Sequence, residues 1–151
     1  MQGNDRSKLI LACRDYISQR VAVIKKAMNG LKEDLEGESK SSAGDKFETG
    51  REMINIEWNK LSVQLSQYDH LDQILNRLED HIPTEMIVLG SMVYTDAANY
   101  FISIPAGEIS GGSDKFYAIG IQAPIAQLML GKKVGDSINF NGRQFKVQRI
   151  S

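Results

Sequence analysis

Hydrophobic positions divide the chain into two stretches with different periods. Residues 5–36 contain no proline and only Gly30 among glycines, and Ile10, Ile17, Ile24 and Leu31 recur at intervals of seven. A seven-residue apolar repeat keeps one stripe of a helix turned toward a partner helix, so this stretch predicts one arm of a coiled coil. Cys13, Val21, Met28 and Leu35 widen the same face, and Cys13 reads there as a small buried hydrophobe rather than a nucleophile. The polar, glycine-containing residues 37–44 predict a turn. Beyond it Phe47, Ile54, Leu61, Tyr68 and Leu75 again step by seven, with Met53, Trp58, Leu65, Leu71 and Leu78 beside them. Two such helices on a short loop fold back antiparallel to bury their seams, and a helix of about thirty residues is roughly 45 Å long.

After Pro83 the pattern changes to short β-branched and aromatic runs at residues 86–94, 100–104, 116–121, 137–140 and 144–150, which read as strands. Turn residues separate them at Pro105-Ala106-Gly107, Gly111-Gly112-Ser113 and Asn141-Gly142, the last a hairpin signal. Pro124 stands in the first turn of a short predicted helix that runs to Leu130, with Gly131 just past its end. The expected architecture is α+β: an N-terminal antiparallel coiled-coil hairpin over residues 1–82, then a β-rich domain with one short helix over residues 83–151.

Composition narrows the chemistry more than the fold. The 151 residues are 42% hydrophobic and 25% charged, an ordinary globular balance, and a formal net charge of −1 supplies no global attraction to nucleic acid or anionic lipid. One cysteine excludes an intrachain disulfide, and with only two histidines a Cys/His metal site is not expected. The N-terminus lacks a basic segment followed by an apolar one, and no run approaches the ~18 apolar residues of a membrane span, so a cytoplasmic location is expected. Gly111-Gly112 lacks the lysine and following helix of a phosphate-binding loop.

Acidic residues crowd the predicted hairpin tip. Glu33, Asp34, Glu36 and Glu38 fall at the C-terminal end of the first helix, where the helix dipole disfavours anions by about 0.3–1 kcal/mol each. Asp45 and Glu48 follow across the turn. Ser42 with Asp45 fits a capping box for the second helix, which explains Asp45 without any function. Alternatively, Glu36, Glu38, Asp45 and Glu48 are candidate catalytic acids that would help hold magnesium at a partner's metal site, since one or two carboxylates make no cage of their own. No cofactor of its own is expected; magnesium would be shared with that partner. Lys40 and Lys46 flank the tip as phosphate contacts or as ordinary surface.

The order of these parts, together with the segment Ala123-Pro124-Ile125-Ala126-Gln127-Leu128-Met129-Leu130-Gly131-Lys132-Lys133-Val134-Gly135-Asp136, resembles the Gre-type (GreA/GreB) transcription elongation factors. In that family a serine-proline-aliphatic-small segment, a short helix and then glycine-lysine precede the last hairpin, and here Ala123 replaces the serine. Phe47-Glu48-Thr49-Gly50-Arg51-Glu52 resembles the family's aromatic and arginine-glutamate stretch at the start of the second helix. The resemblance implies a C-terminal domain like that of FK506-binding proteins, gripping RNA polymerase beside its secondary channel through Gln122, Ala123, Pro124, Ile125 and Ala126 while the hairpin enters the channel. Bland packing explains Ile125, Leu128 and Leu130 equally well. Family members that stimulate RNA cleavage carry an aspartate and a glutamate three apart at the tip. Aligned on Phe47 and Arg51-Glu52, those positions hold Lys40 and Ala43, which removes both acids; aligned on Asp45 and Glu48 the pair returns, but the distance to Arg51 shortens.

The leading expectation is therefore a monomeric polymerase-binding regulator that is not itself an enzyme, with nascent RNA as a further contact at the tip. The alternatives are a factor stimulating transcript cleavage with polymerase magnesium, an FKBP-like isomerase or chaperone, and a purely structural coiled-coil protein that pairs with itself. The isomerase reading is disfavoured because the only tryptophan, Trp58, falls in the coiled coil.

Overall fold

The two seven-residue seams form two long helices. A computed structural model of the chain describes residues 2–39 and 44–151, with side chains for residues 5–37 and 50–151. Helix α1 spans Gln2–Ser39 and α2 spans Gly44–Leu78. The chain divides into two compact units, one of Ile17–His70 and one that joins Met1–Tyr16 to Leu71–Ser151.

In the helical unit Ile17, Ile24 and Leu61 are buried, and Leu31, Ile54 and Tyr68 are half-buried. These are the heptad positions, so the apolar period accounts for what the helices cover. Two residues expected beside the seam lie in water instead: Met53 is 66% exposed and Trp58 is 38% exposed. Met53 precedes Ile54 by one residue, about 100° around the helix, which carries it off the seam. Trp58 sits at the seam's edge, where a two-helix interface leaves part of so large a ring uncovered.

In the other unit six strands build one mixed sheet: β1 Met92–Thr95, β2 Asn99–Ser103, β3 Gly107–Gly111, β4 Asp114–Gly120, β5 Ser137–Phe140 and β6 Arg143–Ile150. Their order is β3-β4-β2-β1-β6-β5, with β2 and β4 parallel and every other neighbouring pair antiparallel. Helix α3, Pro124–Met129, connects β4 to β5. One core gathers Val93, Ile102, Ile138, Phe145 and Val147 from the strands with Met129 of α3 and with Ile87, which precedes β1. Phe101 and Ser103 alternate to the opposite face, where the ends of the long helices dock. Cys13 Sγ lies 3.9 Å from Ser103 Oγ, and Leu9 packs directly over Gly111. Arg14 ties the two helix ends together, reaching Asp72, Asn76 and Glu79 at 2.8 Å each. That pairing of the start of α1 with the end of α2 makes the helices antiparallel.

Two strand expectations need correction. Residues 86–91 are not part of β1: Met86 makes a single bridge to Lys133, and Gly90 at φ 96° turns the chain before Met92. Ser91 closes this turn, its amide donating to Val88 O at 3.0 Å and its Oγ accepting from the Val88 amide at 2.9 Å. Strand β3 was not foreseen, because Gly107-Glu-Ile-Ser-Gly111 offers one apolar side chain between glycines; backbone pairing with β4 makes the strand. The Asn141-Gly142 hairpin is as expected, with φ of 52° and 76° at its two central residues. Among the described residues no helix is long and apolar enough to cross a membrane.

Candidate functional site

Proline and glycine fix the segment 120–136. Pro124 opens α3, where its missing N–H is not needed. Ala123 before it is extended, with φ −63° and ψ 140°, and no side chain caps the helix. The residue preceding proline is held in that region by the ring, and an alanine offers no hydroxyl to accept the first free amides. Gln127 donates its side-chain amide to Ile121 O, which ties the preceding loop to the helix without capping it, and the Ala123 amide donates to Gly120 O at 3.1 Å. Ala126 and Met129 are buried and Leu128 is 42% exposed, so Leu128 does not face the sheet as packing predicts. Gly131 ends the helix at φ 83° and its amide donates to Ile87 O at 2.8 Å. Asp136 then closes the following turn, accepting from the Lys133 amide at 2.8 Å. The glycine-lysine to aspartate stretch is thus shaped by backbone requirements.

The five residues expected to contact a partner fall into two groups. Gln122 and Pro124 are exposed, Ala123 and Ile125 half-buried, and Ala126 fully buried. Ala126 therefore supports the loop from within rather than offering a surface. Ile125 also lines a groove of about 880 Å3 with Tyr100, Tyr117, Phe140, Phe145 and Arg143. Tyr100 is its centre: the ring stacks on Phe145 at 6.1 Å between centroids and tilts against Tyr117 at 6.0 Å. Burial, then the neighbouring Tyr117, pushes the Tyr100 phenol above its ordinary pKa, so it remains a neutral donor at physiological pH. Arg143 stands at the rim with no carboxylate in ion-pair distance among the described residues. Ring faces below and amide or guanidinium donors at the edge suit an apolar side chain on an extended peptide.

Sequence reasoning passed over this groove. Its rings come from β2, β4, β5 and β6, and only strand pairing brings Tyr100 opposite Tyr117. The available signal was the hairpin Phe140-Asn141-Gly142-Arg143-Gln144-Phe145, whose ends are both aromatic.

At the other predicted site, Glu36 is exposed on α1. The side chains of Glu38, Asp45 and Glu48, like Lys40 and Ala43, lie outside the described residues. Among the described residues no three His, Cys, Asp or Glu side chains gather as a metal site.

No protein-family model matches the chain, and no curated protein matches it. Among solved structures there is a likeness. It is to the crystal structure of GreA factor homolog 1 (Gfh1) of Thermus thermophilus, at 21% identity and a TM-score of 0.36, covering 91% of this chain and 93% of that one. A likeness of that size decides neither activity nor partner.

Proposed function

We propose that this chain is a transcription elongation regulator that binds RNA polymerase at its secondary channel and is not itself an enzyme. The observation that carries the reading is the segment 123–136. The stretch whose residues resemble the Gre-type factors folds as an exposed proline loop, a short helix and a glycine-lysine turn, next to an apolar groove that shares Ile125. Gln122, Ala123, Pro124 and Ile125 are the proposed polymerase contacts, on a domain proposed to be like that of FK506-binding proteins, and Ala126 positions them. Two long antiparallel helices ahead of a β-rich unit supply the remaining parts that such a factor needs. With Lys40 and Ala43 at the positions that hold acids in cleavage-stimulating members, the proposed role is modulation without transcript cleavage, and no magnesium is contributed by this chain.

Competition with a Gre factor for core polymerase tests the proposal: displacement at micromolar concentration is expected, and weakening by Pro124→Ala or Gln122→Ala maps the contact. Absence of binding at that concentration overturns it. Stalled elongation complexes incubated with the protein and magnesium are expected to keep their transcript length; shortening would restore the cleavage reading for Glu36, Glu38, Asp45 and Glu48. The aromatic groove specifically favours one further reading, an FKBP-like peptide-binding or chaperone role, and acceleration in a proline-peptide isomerisation assay would establish it.

A further inference from the structure

The aromatic groove of the β-rich unit has a charge at its rim as well as an apolar floor. Arg143 is the charged residue of its wall, and among the described residues no aspartate or glutamate lines it. Strand register puts that cation beside the rings. Arg143 pairs with Phe140 across the β5–β6 hairpin and Phe145 follows it by two residues, so the three side chains leave the same face of the sheet. The turn between the strands holds both central residues, Asn141 and Gly142, at positive φ, which fixes this register.

Two other arginines of this unit have partners within the chain. Arg14 is bonded to Asp72 and Glu79, and Arg149 lies over the Tyr94 ring with its Cζ 3.8 Å from the centroid. Arg143 is exposed and has neither kind of partner: among the described residues no carboxylate stands within ion-pair distance and no ring lies under its guanidinium. Water satisfies an exposed guanidinium, so its freedom alone means little. Its place is what matters, at one end of a strip of rings with open faces, where Tyr117 is 36% exposed and Tyr100 and Phe140 are half-buried. At the other end Lys115 Nζ lies 5.7 Å from the Tyr117 centroid and is compensated by Glu108 at 3.6 Å. A ligand that fills the strip strips water from one side of Arg143, and a charge-assisted hydrogen bond there is strengthened by that loss.

We propose that the groove selects an extended peptide in which a bulky apolar side chain stands next to an aspartate or glutamate, the apolar group resting on Tyr100, Tyr117 and Phe140 and the carboxylate pairing with Arg143. The groove volume of about 880 Å3 lies at the upper end of the range of small-ligand pockets, about 300–1,000 Å3, and has room for more than one side chain. The inference rests on the peptide-binding reading of the groove and adds the acid as its specificity element; it does not depend on whether the peptide belongs to polymerase.

Its test is a set of NMR titrations on the full chain, following the backbone amides of Tyr100, Tyr117 and Arg143. The probes are acetyl-Gly-Leu-Glu-Gly-amide and the same blocked peptide with glutamine or lysine in place of the glutamate. The acidic peptide is expected to bind about three- to tenfold more tightly than the glutamine peptide, and the lysine peptide most weakly, with the differences shrinking as salt is raised. Arg143→Gln is expected to remove the preference for the acid, whereas Lys115→Gln is expected to keep it. Equal affinity for the three peptides, or an acid preference that survives Arg143→Gln, overturns the proposal and leaves the peptide reading of the groove standing. No saturable shift with any peptide overturns both. A fourth titration with adenosine monophosphate covers the other chemistry that rings and a guanidinium suit: tighter binding than the acidic peptide at the same amides assigns the rings to a nucleobase and likewise overturns the proposal.

Discussion

Gly111→Ala probes how the start of α1 is seated on the sheet. A Cβ at residue 111 would lie 2.7 Å from both Cγ and Cδ2 of Leu9 and 3.2 Å from the Asp5 carbonyl oxygen. Favourable carbon contacts are at about 3.5–4.0 Å, so the methyl group overlaps Leu9 by roughly 1 Å. Leu9 is 0% exposed and has no open side toward which to swing, and Asp5 presents backbone, so the helix end or the β3–β4 turn must move. Overpacking of this kind costs about 1–3 kcal/mol. For a chain of this size that lowers the melting temperature by about 2–12 °C, measurable by calorimetry and far-ultraviolet circular dichroism. Leu9→Ala alone costs about 2–5 kcal/mol through the cavity it leaves. In the double variant the new methyl occupies part of that cavity, so the combined loss falls short of the sum by at least about 0.5 kcal/mol. A wild-type melting temperature for Gly111→Ala, or strict additivity in the double variant, would refute the packing of Leu9 on Gly111.

Gly30 is the opposite case: it lies inside α1 with no heavy atom within 4 Å of an added Cβ, so Gly30→Ala should stabilise by about 0.5–1 kcal/mol, read as a raised melting temperature. The Cys13 thiol is pushed up to about 11 by burial, against a smaller opposing effect of the hydrogen bond with Ser103. Alkylation by iodoacetamide at pH 8 should therefore run on the order of a hundredfold slower than for a free thiol, and a free-thiol rate would show that Cys13 is not buried. His81 has its pKa lowered below the ordinary 6.5 by burial and then by the Arg6 charge. The unfolded chain takes up that proton first, so its contribution to stability is complete above 6.5 and is lost as pH falls below it. Arg6, Glu79 and Ser151 with its terminal carboxylate share its cavity. Urea unfolding between pH 7.5 and 5.5 should show this loss in the wild type and a shallower one in His81→Gln; identical slopes would exclude His81 as the cause.

What could be read from the residues depended on how locally each feature is determined. The helical seams were legible because burial repeats along one element: Ile10, Ile17, Ile24, Leu61 and Leu75 are all buried, each at a heptad position. The Asn141-Gly142 hairpin and the Gly131 helix end were legible for a related reason, since a positive φ restricts the residue that can occupy it. Strand β3 fails the same test. Its two glycines and two exposed polar residues carry no period, and the strand exists because β4 offers a free edge beside it. Residues 86–89 err in the other direction: Met-Ile-Val-Leu looks like a strand, yet Gly90 diverts the chain and Ile87 pairs instead with Lys132 through a 2.8 Å hydrogen bond.

The sites were less legible than the fold because their residues are remote from one another and of unremarkable type. Arg6 and Gly90 are 84 residues apart, and nothing near Arg6 in the chain distinguishes it from Arg14 or Arg20, both on the same helix. Arg14 finds Asp72 and Glu79; Arg6 is carried onto the sheet by Leu9 and Cys13, three and seven residues further along the helix, whose burial on the same face draws the guanidinium out of water. Only the folded arrangement places Arg6 beside Gly90 and in one cavity with His81 and Ser151. The aromatic groove follows the same logic. Tyr100 and Tyr117 acquire a common face through parallel pairing of strands separated by β3, a topology that no local pattern announces. Helix seams report what a segment does to itself, whereas binding sites report which remote segments the core has pulled together.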